Sequence, residues 1–287
     1  MIRLDLNLEA RLKDWLHEDI GRGDWSVEAI APLSPTVLNT EWVAKAPGVI
    51  AGLPLAGKVF QSIDVDATWI CDVEEGDRCT PGQVIARGSG SMPALLTGER
   101  TALNLVMGLS GIATMARQYA DAIADLPAQL VDTRKTTPGL RTLEKYASRV
   151  GGARNHRMGL DDAVMLKDNH IAAAGGIAPA VAAARERVPY PLSIEVETES
   201  LDQVRESLDS GADIIMLDNM PLEMMREAVA LIRRNGPRVK IEASGNITLE
   251  TIRGVAETGV DFISTSAPIT RSPWLDISMR VFPYESS

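Results

Sequence analysis

Two hydrophobic rhythms divide this chain. Residues 5–19 repeat apolar positions near the helical period, at Leu8, Leu12, Trp15 and Leu16, as one face of an amphipathic helix requires. Residues 36–90 instead hold short β-rich runs, TVLNTEWVAK, GVIAG, ATWICDVEE and QVIAR, parted by Gly, Pro and Asp. That spacing predicts a small antiparallel sheet. A long helix is expected from Thr97 to Ala124, weakened at Ser110-Gly111, because glycine costs a helix interior about 1 kcal/mol relative to alanine.

After Pro127 the rhythm changes. Strand-like runs end near residues 136, 168, 198, 219, 245 and 266, with helical pieces such as SLDQVRESLDSG and PLEMMREAVALIRRNG between most of them. Strands alternating with helices predict βαβ units and a parallel sheet. Right-handed crossovers curl such units toward a barrel. Six strands fall short of eight, so the fold class is α/β with an incomplete or irregular barrel.

Every strand ends in polar residues. Arg134-Lys135, Lys167-Asp168, Glu197, Asp218-Asn219, Ser244-Gly245-Asn246 and Ser264-Thr265-Ser266 all fall at carboxyl ends. That is the face on which α/β barrels build active sites.

Charge sharpens the picture. The 287 residues carry a formal net charge of −10, which argues against general nucleic-acid binding. Yet between residues 134 and 167 the sign reverses: Arg134, Lys135, Arg141, Lys145, Arg149, Arg154, Arg157 and Lys167 face only Glu144, Asp161 and Asp162. A small polyanionic ligand fits that window. No apolar run is long enough to span a membrane, and the N-terminal stretch lacks the apolar core of a signal peptide. Two cysteines, Cys71 and Cys79, make no disulfide framework, so a cytoplasmic protein is expected.

Several side chains carry two readings. Arg134 and Lys135 are either a surface ion-pair cluster or an anion trap, a planar fork beside a point charge. His156, between an amide and an arginine, reads as a hydrogen-bond donor in an anion site, and His170 as structural; their spacing matches no zinc motif. Glu195 and Glu197 share one strand face. They pair with neighbouring cations or, like Asp218, face a metal or sugar hydroxyls. Mg²⁺ prefers a few carboxylates plus substrate phosphate oxygens, which Glu197 and Asp218 suit directly or through water. The turns Ser244-Gly245-Asn246 and Thr265-Ser266-Ala267 are ordinary caps or a phosphate cradle. GLPLAGKV (52–59) approaches a P-loop, but Val59 replaces the metal-binding hydroxyl and no strong helix is expected after it. Met216, Met220, Met224 and Met225 read as core filler.

Taken together, DTRKTTPGLR (132–141), GGARNHRMGLDDAVMLKDNHI (151–171), IEVE (194–197), LDN (217–219) and EASGNIT (242–248) resemble the quinolinate phosphoribosyltransferase family. So do EDIGRGDWS (18–26) and GERTALNLVMGLSGIAT (98–114). The resemblance implies an N-terminal α/β sandwich domain over 1–110, completed by the tail 272–287, and an incomplete α/β barrel over 111–271. It implies a Mg²⁺-dependent transfer from 5-phosphoribosyl 1-pyrophosphate to quinolinate with decarboxylation, a step of NAD biosynthesis, in a homodimer or larger assembly with shared active sites. On this chain it places quinolinate on Arg134, Arg157 and Lys167 with His156 close by, and Arg100 in the neighbouring subunit's site. Lys135, Glu197 and Asp218 then face the ribosyl donor and its metal, and Ser244, Gly245, Asn246 with Thr265, Ser266 and Ala267 its 5-phosphate. The family often has glycine where this chain has Asn246, a departure of little weight if backbone N–H groups bind the phosphate.

Overall fold

A computed structural model of the chain describes residues 7–31 and 37–283. By internal contacts the described residues form two compact units. One contains residues up to Met115, with Thr142–Gly151 and the chain from Ser272; the other contains Ala116–Arg141 and Gly152–Arg271.

The first unit begins with α1 (Leu8–Ile20) and α2 (Trp25–Ile30), then β1 (Val37–Ala44), β2 (Gly48–Val49), α3 (Leu53–Ile63), β3 (Thr68–Cys71), β4 (Arg78–Cys79), β5 (Val84–Ser91) and the start of α4 (Met92–Asp121). Residues 5 and 6 of the expected first helix lie outside the described residues. The antiparallel sheet expected over 36–90 is present, in the order β12-β1-β5-β3, and its outer strand β12 (Ile277–Pro283) comes from the far end of the chain. Leu38 pairs with Pro283 and Ala44 with Ile277.

Two expectations are corrected here. Residues 53–63 are helical, and Gly57 and Lys58 of the P-loop-like run lie inside that helix rather than before it. Packing explains the glycine: a Cβ on Gly57 would sit 2.8 Å from Trp69 Cγ. Trp69 stacks edge-on to Trp42, centroids 5.2 Å apart, and its Nε1 donates to Leu53 O at 3.0 Å. The second correction is the long helix, which does not weaken at Ser110-Gly111. Ser110 Oγ accepts the Ala51 N–H at 3.0 Å, and a Cβ on Gly111 would lie 2.2 Å from Pro273 O. The small residues there admit neighbouring backbone.

The second unit contains β6 (Gln129–Val131), β7 (Val164–Leu166), α6 (Asp168–Ala174), α7 (Ile177–Arg187), β8 (Ile194–Thr198), α8 (Leu201–Asp209), β9 (Ile214–Asp218), α9 (Leu222–Asn235), β10 (Lys240–Ser244), α10 (Ile252–Ala256), β11 (Phe262–Ser264) and α11 (Ala267–Thr270). Its six parallel strands pair in the order β6-β11-β10-β9-β8-β7. From β7 to β11 each strand lies beside the next in sequence, and β11 then meets β6. Only β6 and β7 are left unpaired with each other, so the barrel is incomplete. A bridge from Val131 to Arg154 extends the β6 edge. Among the described residues no helix is long and apolar enough to cross a membrane.

Strand β6 is shorter than its pattern predicts. Beyond Val131 the chain turns on itself: Lys135 N–H donates to Thr133 Oγ1 at 3.0 Å and Thr136 N–H to Arg134 O at 2.9 Å. Such local bonds compete with a sheet ladder. The pattern also missed α5 (Arg141–Val150), which buries six successive residues, Leu143 to Ser148. Lys145, counted above among the anion-seeking cations, is fully buried there. Arg149 and Arg154 are exposed and are not among the residues that line the hollow described next.

Candidate active site

Register decides what faces inward. Met165 lies beside Glu195, Glu197 beside Met216, Met216 beside Glu242, and Asp218 beside Ser244. With side chains alternating along each strand, these residues share the barrel's inner face. Above them, at the carboxyl ends, opens a hollow of about 580 Å³. Arg134, Lys135, His156, Arg157, Lys167, Glu197, Asp218, Ser244, Gly245, Asn246, Thr265, Ser266 and Ala267 all line it. Arg100 does not; it is exposed on α4 in the first unit. Sequence reasoning overlooked Arg271 and Glu242, which also line the hollow, and gave Asn219 no role. Glu242 was within reach, since it lies two residues before Ser244 on one strand. Met216 is buried as expected of core, yet also floors the hollow.

The cations are held from behind. Arg157 donates through Nη1 to Ala163 O at 3.2 Å and through Nη2 to Met165 Sδ at 3.3 Å. Burial, then the positive charge of Arg134, push its pKa downward. Two guanidinium groups set so close call for an anion. Arg134 Nε is buried with no partner among the described residues. Arg141 ties the loop of 133–141 to its surroundings, donating to Thr136 Oγ1 at 3.0 Å and Met158 O at 3.1 Å. Lys167 forms an ion pair with Glu197.

His156 sits over a buried carboxylate pair. Its Nε2 lies 3.3 Å from Glu195 Oε2 and 3.4 Å from Glu242 Oε2. Its Nδ1 accepts the Arg157 N–H at 2.8 Å. A neutral imidazole has one N–H and one lone pair. Nδ1 spends the lone pair, so Nε2 carries the proton and donates to the carboxylates. This trio is the one group of metal-ligand type found among the described residues, and within it His156 Nε2 stands within hydrogen-bond reach of both carboxylates. Burial opposes a charged ring, but the Glu195 and Glu242 hydrogen bonds outweigh it and push the His156 pKa up to about 10. Burial first and the charge of Glu242 second raise the Glu195 pKa as well, so the cluster holds its protons to higher pH than the free groups would.

At the tip of β9, between the strands that carry Glu195 and Glu242, Asp218 Oδ2 accepts Asn219 Nδ2 at 2.7 Å. Gly245 and Asn246 N–H donate to no group among the described residues, whereas Ala267 N–H is taken by Thr265 Oγ1 at 3.2 Å. The phosphate-type turn at 245–246 thus has donors to offer, and Ala267 does not. Asp218 and Glu197 are hard oxygen donors of the kind Mg²⁺ accepts beside phosphate oxygens.

The quinolinate phosphoribosyl transferase C-terminal domain model matches residues 112–280, and the N-terminal domain model residues 24–110. A probable carboxylating nicotinate-nucleotide pyrophosphorylase of Synechocystis sp. is 59% identical over 270 residues, 94% of this chain and 91% of that one. Another, from Bacillus subtilis, is 44% identical over 276 residues, 96% of this chain and 94% of that one. The crystal structure of NadC from Streptococcus pyogenes matches with a TM-score of 0.92 at 41% identity, covering 98% of this chain and 99% of the other.

Proposed function

Because this chain belongs to the quinolinate phosphoribosyl transferase family, we propose that it joins quinolinate to 5-phosphoribosyl 1-pyrophosphate and releases CO₂. The products are nicotinate mononucleotide and pyrophosphate, a step of NAD biosynthesis. One observation carries the reading of the site: Arg134, Lys135, Arg157, Lys167 and Arg271 converge on one hollow with Glu197 and Asp218. Two multiply anionic small molecules can meet only where several cations offset their repulsion.

Arg134 and Arg157 take the ring carboxylates as planar forks, with Lys167 a point charge steered by Glu197. The ring nitrogen attacks the sugar C1 while the C1–oxygen bond to pyrophosphate breaks. Lys135 offsets charge growing on the leaving group. Glu197 and Asp218 favour positive charge on the ribose ring. Mg²⁺, held by Asp218 and substrate oxygens, would add further charge neutralisation at the pyrophosphate. The ring nitrogen ends cationic, so the neighbouring C–CO₂⁻ bond can break with its electron pair left beside N⁺. A proton from solvent then closes the ring carbon. The Gly245 and Asn246 N–H groups receive the 5-phosphate.

In this reading the protein works in the cytoplasm as a homodimer or larger assembly, with Arg100 reaching a neighbouring subunit's hollow. The test is release of labelled CO₂ from carboxyl-labelled quinolinate. Release that depends on the phosphoribosyl donor supports the proposal; pyrophosphate without CO₂ would mean a non-decarboxylating substrate and reject it.

A further inference from the structure

Asn219 and Asn246 are the non-glycine residues with left-handed backbone among the described residues, at φ of 53° and 50°. Such a conformation costs energy and persists where the surroundings enforce it. Here the two asparagines enforce one another. Asn246 Nδ2 donates to Asn219 Oδ1 at 3.0 Å, and Asn219 Nδ2 donates to Asp218 Oδ2 at 2.7 Å. Asn219 N–H donates to Ser244 O at 3.0 Å. Between them Gly245 has φ of 93°, and a Cβ there would lie 2.2 Å from Asn219 Oδ1. The tip of β9 and the turn after β10 therefore interlock through one amide. That amide has a single satisfactory orientation: Asp218 only accepts, so Nδ2 must face it, and Oδ1 is left for the Asn246 donor.

Resting on the proposed function, we infer that Asn219 and Asn246 form a side-chain clasp that sets the Asp218 carboxylate and the 244–246 turn as one positioning unit for the phosphoribosyl donor. Asn219 and Asn246 are positioning residues. With glycine at 246, Asn219 Oδ1 loses its donor, the amide is free to turn, and Asp218 loses its fixed partner. The side chain at 246 thus matters even though backbone N–H groups meet the phosphate, against the small weight its departure from glycine was given above.

The experiment compares wild type, Asn219→Gly, Asn246→Gly and the double variant. Glycine keeps the left-handed backbone, so only the amides are lost. Calorimetry with 5-phosphoribosyl 1-pyrophosphate, with and without Mg²⁺, is paired with steady-state kinetics. Donor affinity should fall about tenfold in Asn246→Gly, near the upper end for one hydrogen bond. The double variant should bind no more weakly than Asn219→Gly, since both remove one linked chain. The quinolinate KM should stay within about twofold, which a general loosening of the fold would not allow. Wild-type affinity in a folded Asn246→Gly variant, or effects that multiply in full, would overturn the clasp while leaving the proposed activity standing. A wild type that neither binds the donor nor releases CO₂ would remove both.

Discussion

Asp132 carries the loop that presents His156: its Oδ1 accepts the His156 N–H at 2.8 Å while Oδ2 accepts Asn155 Nδ2 at 2.6 Å. Asp132 is 1% exposed, so water cannot replace it. Asp132→Ala leaves the His156 N–H without its acceptor, at about 1–3 kcal/mol, while the exposed Asn155 amide is left to water. The expected outcome is a lower melting temperature together with a raised quinolinate KM, because His156 and Arg157 lose their register. Asp132→Asn keeps one acceptor and should fall between. A quinolinate KM unmoved in a folded Asp132→Ala variant would reject the positioning role.

Arg134 carries a buried Nε with no partner, as suits a guanidinium placed for an anion. Arg134→Ala should weaken quinolinate binding by roughly 2–4 kcal/mol, the range for removing one partner of a buried charge pair. Calorimetry reads this directly; unchanged affinity would refute the assignment.

Arg100 lies outside the hollow of its own chain. If it completes a neighbour's site, Arg100→Ala and Lys135→Ala are each inactive alone. Mixed after subunit exchange, they should regain part of the wild-type activity, because some hybrid sites carry both side chains. Complete inactivity of proven hybrids would count against a shared site.

The carboxylate pair beneath His156 predicts a pH effect on stability. Burial raises the Glu195 pKa above its ordinary value of 4.5. From 4.5 upward the folded state then holds a proton that the unfolded chain has released. Stability therefore falls as pH rises through that window, because the folded state binds more protons there. Glu195→Gln keeps a neutral hydrogen-bonding group with nothing to release. Its melting temperature should depend less on pH than the wild type's between about pH 5 and pH 8. Equal slopes for the two proteins would mean that Glu195 is ionised.

Local periodicity determined a good deal of this protein. The strand and helix alternation after Pro127 and the polar residues at strand ends are readable within a few residues of each other, and they point to the barrel and its carboxyl-end hollow. The pattern missed helices α3 and α5. Packing decided both: it buries Gly57 in the first and Glu144 and Lys145 in the second, although the spacing of Leu143, Tyr146, Ala147 and Val150 did mark a helical period in α5. The clasp of Asn219 with Asn246, and the contact of His156 with Glu195 and Glu242, join residues far apart in sequence. Strand register and the loops anchored at the strand tips bring them together, and register follows from the packing of the whole sheet rather than from any segment of it. The sequence by itself determined which side chains stand at the strand tips; the tertiary structure decided which of them touch.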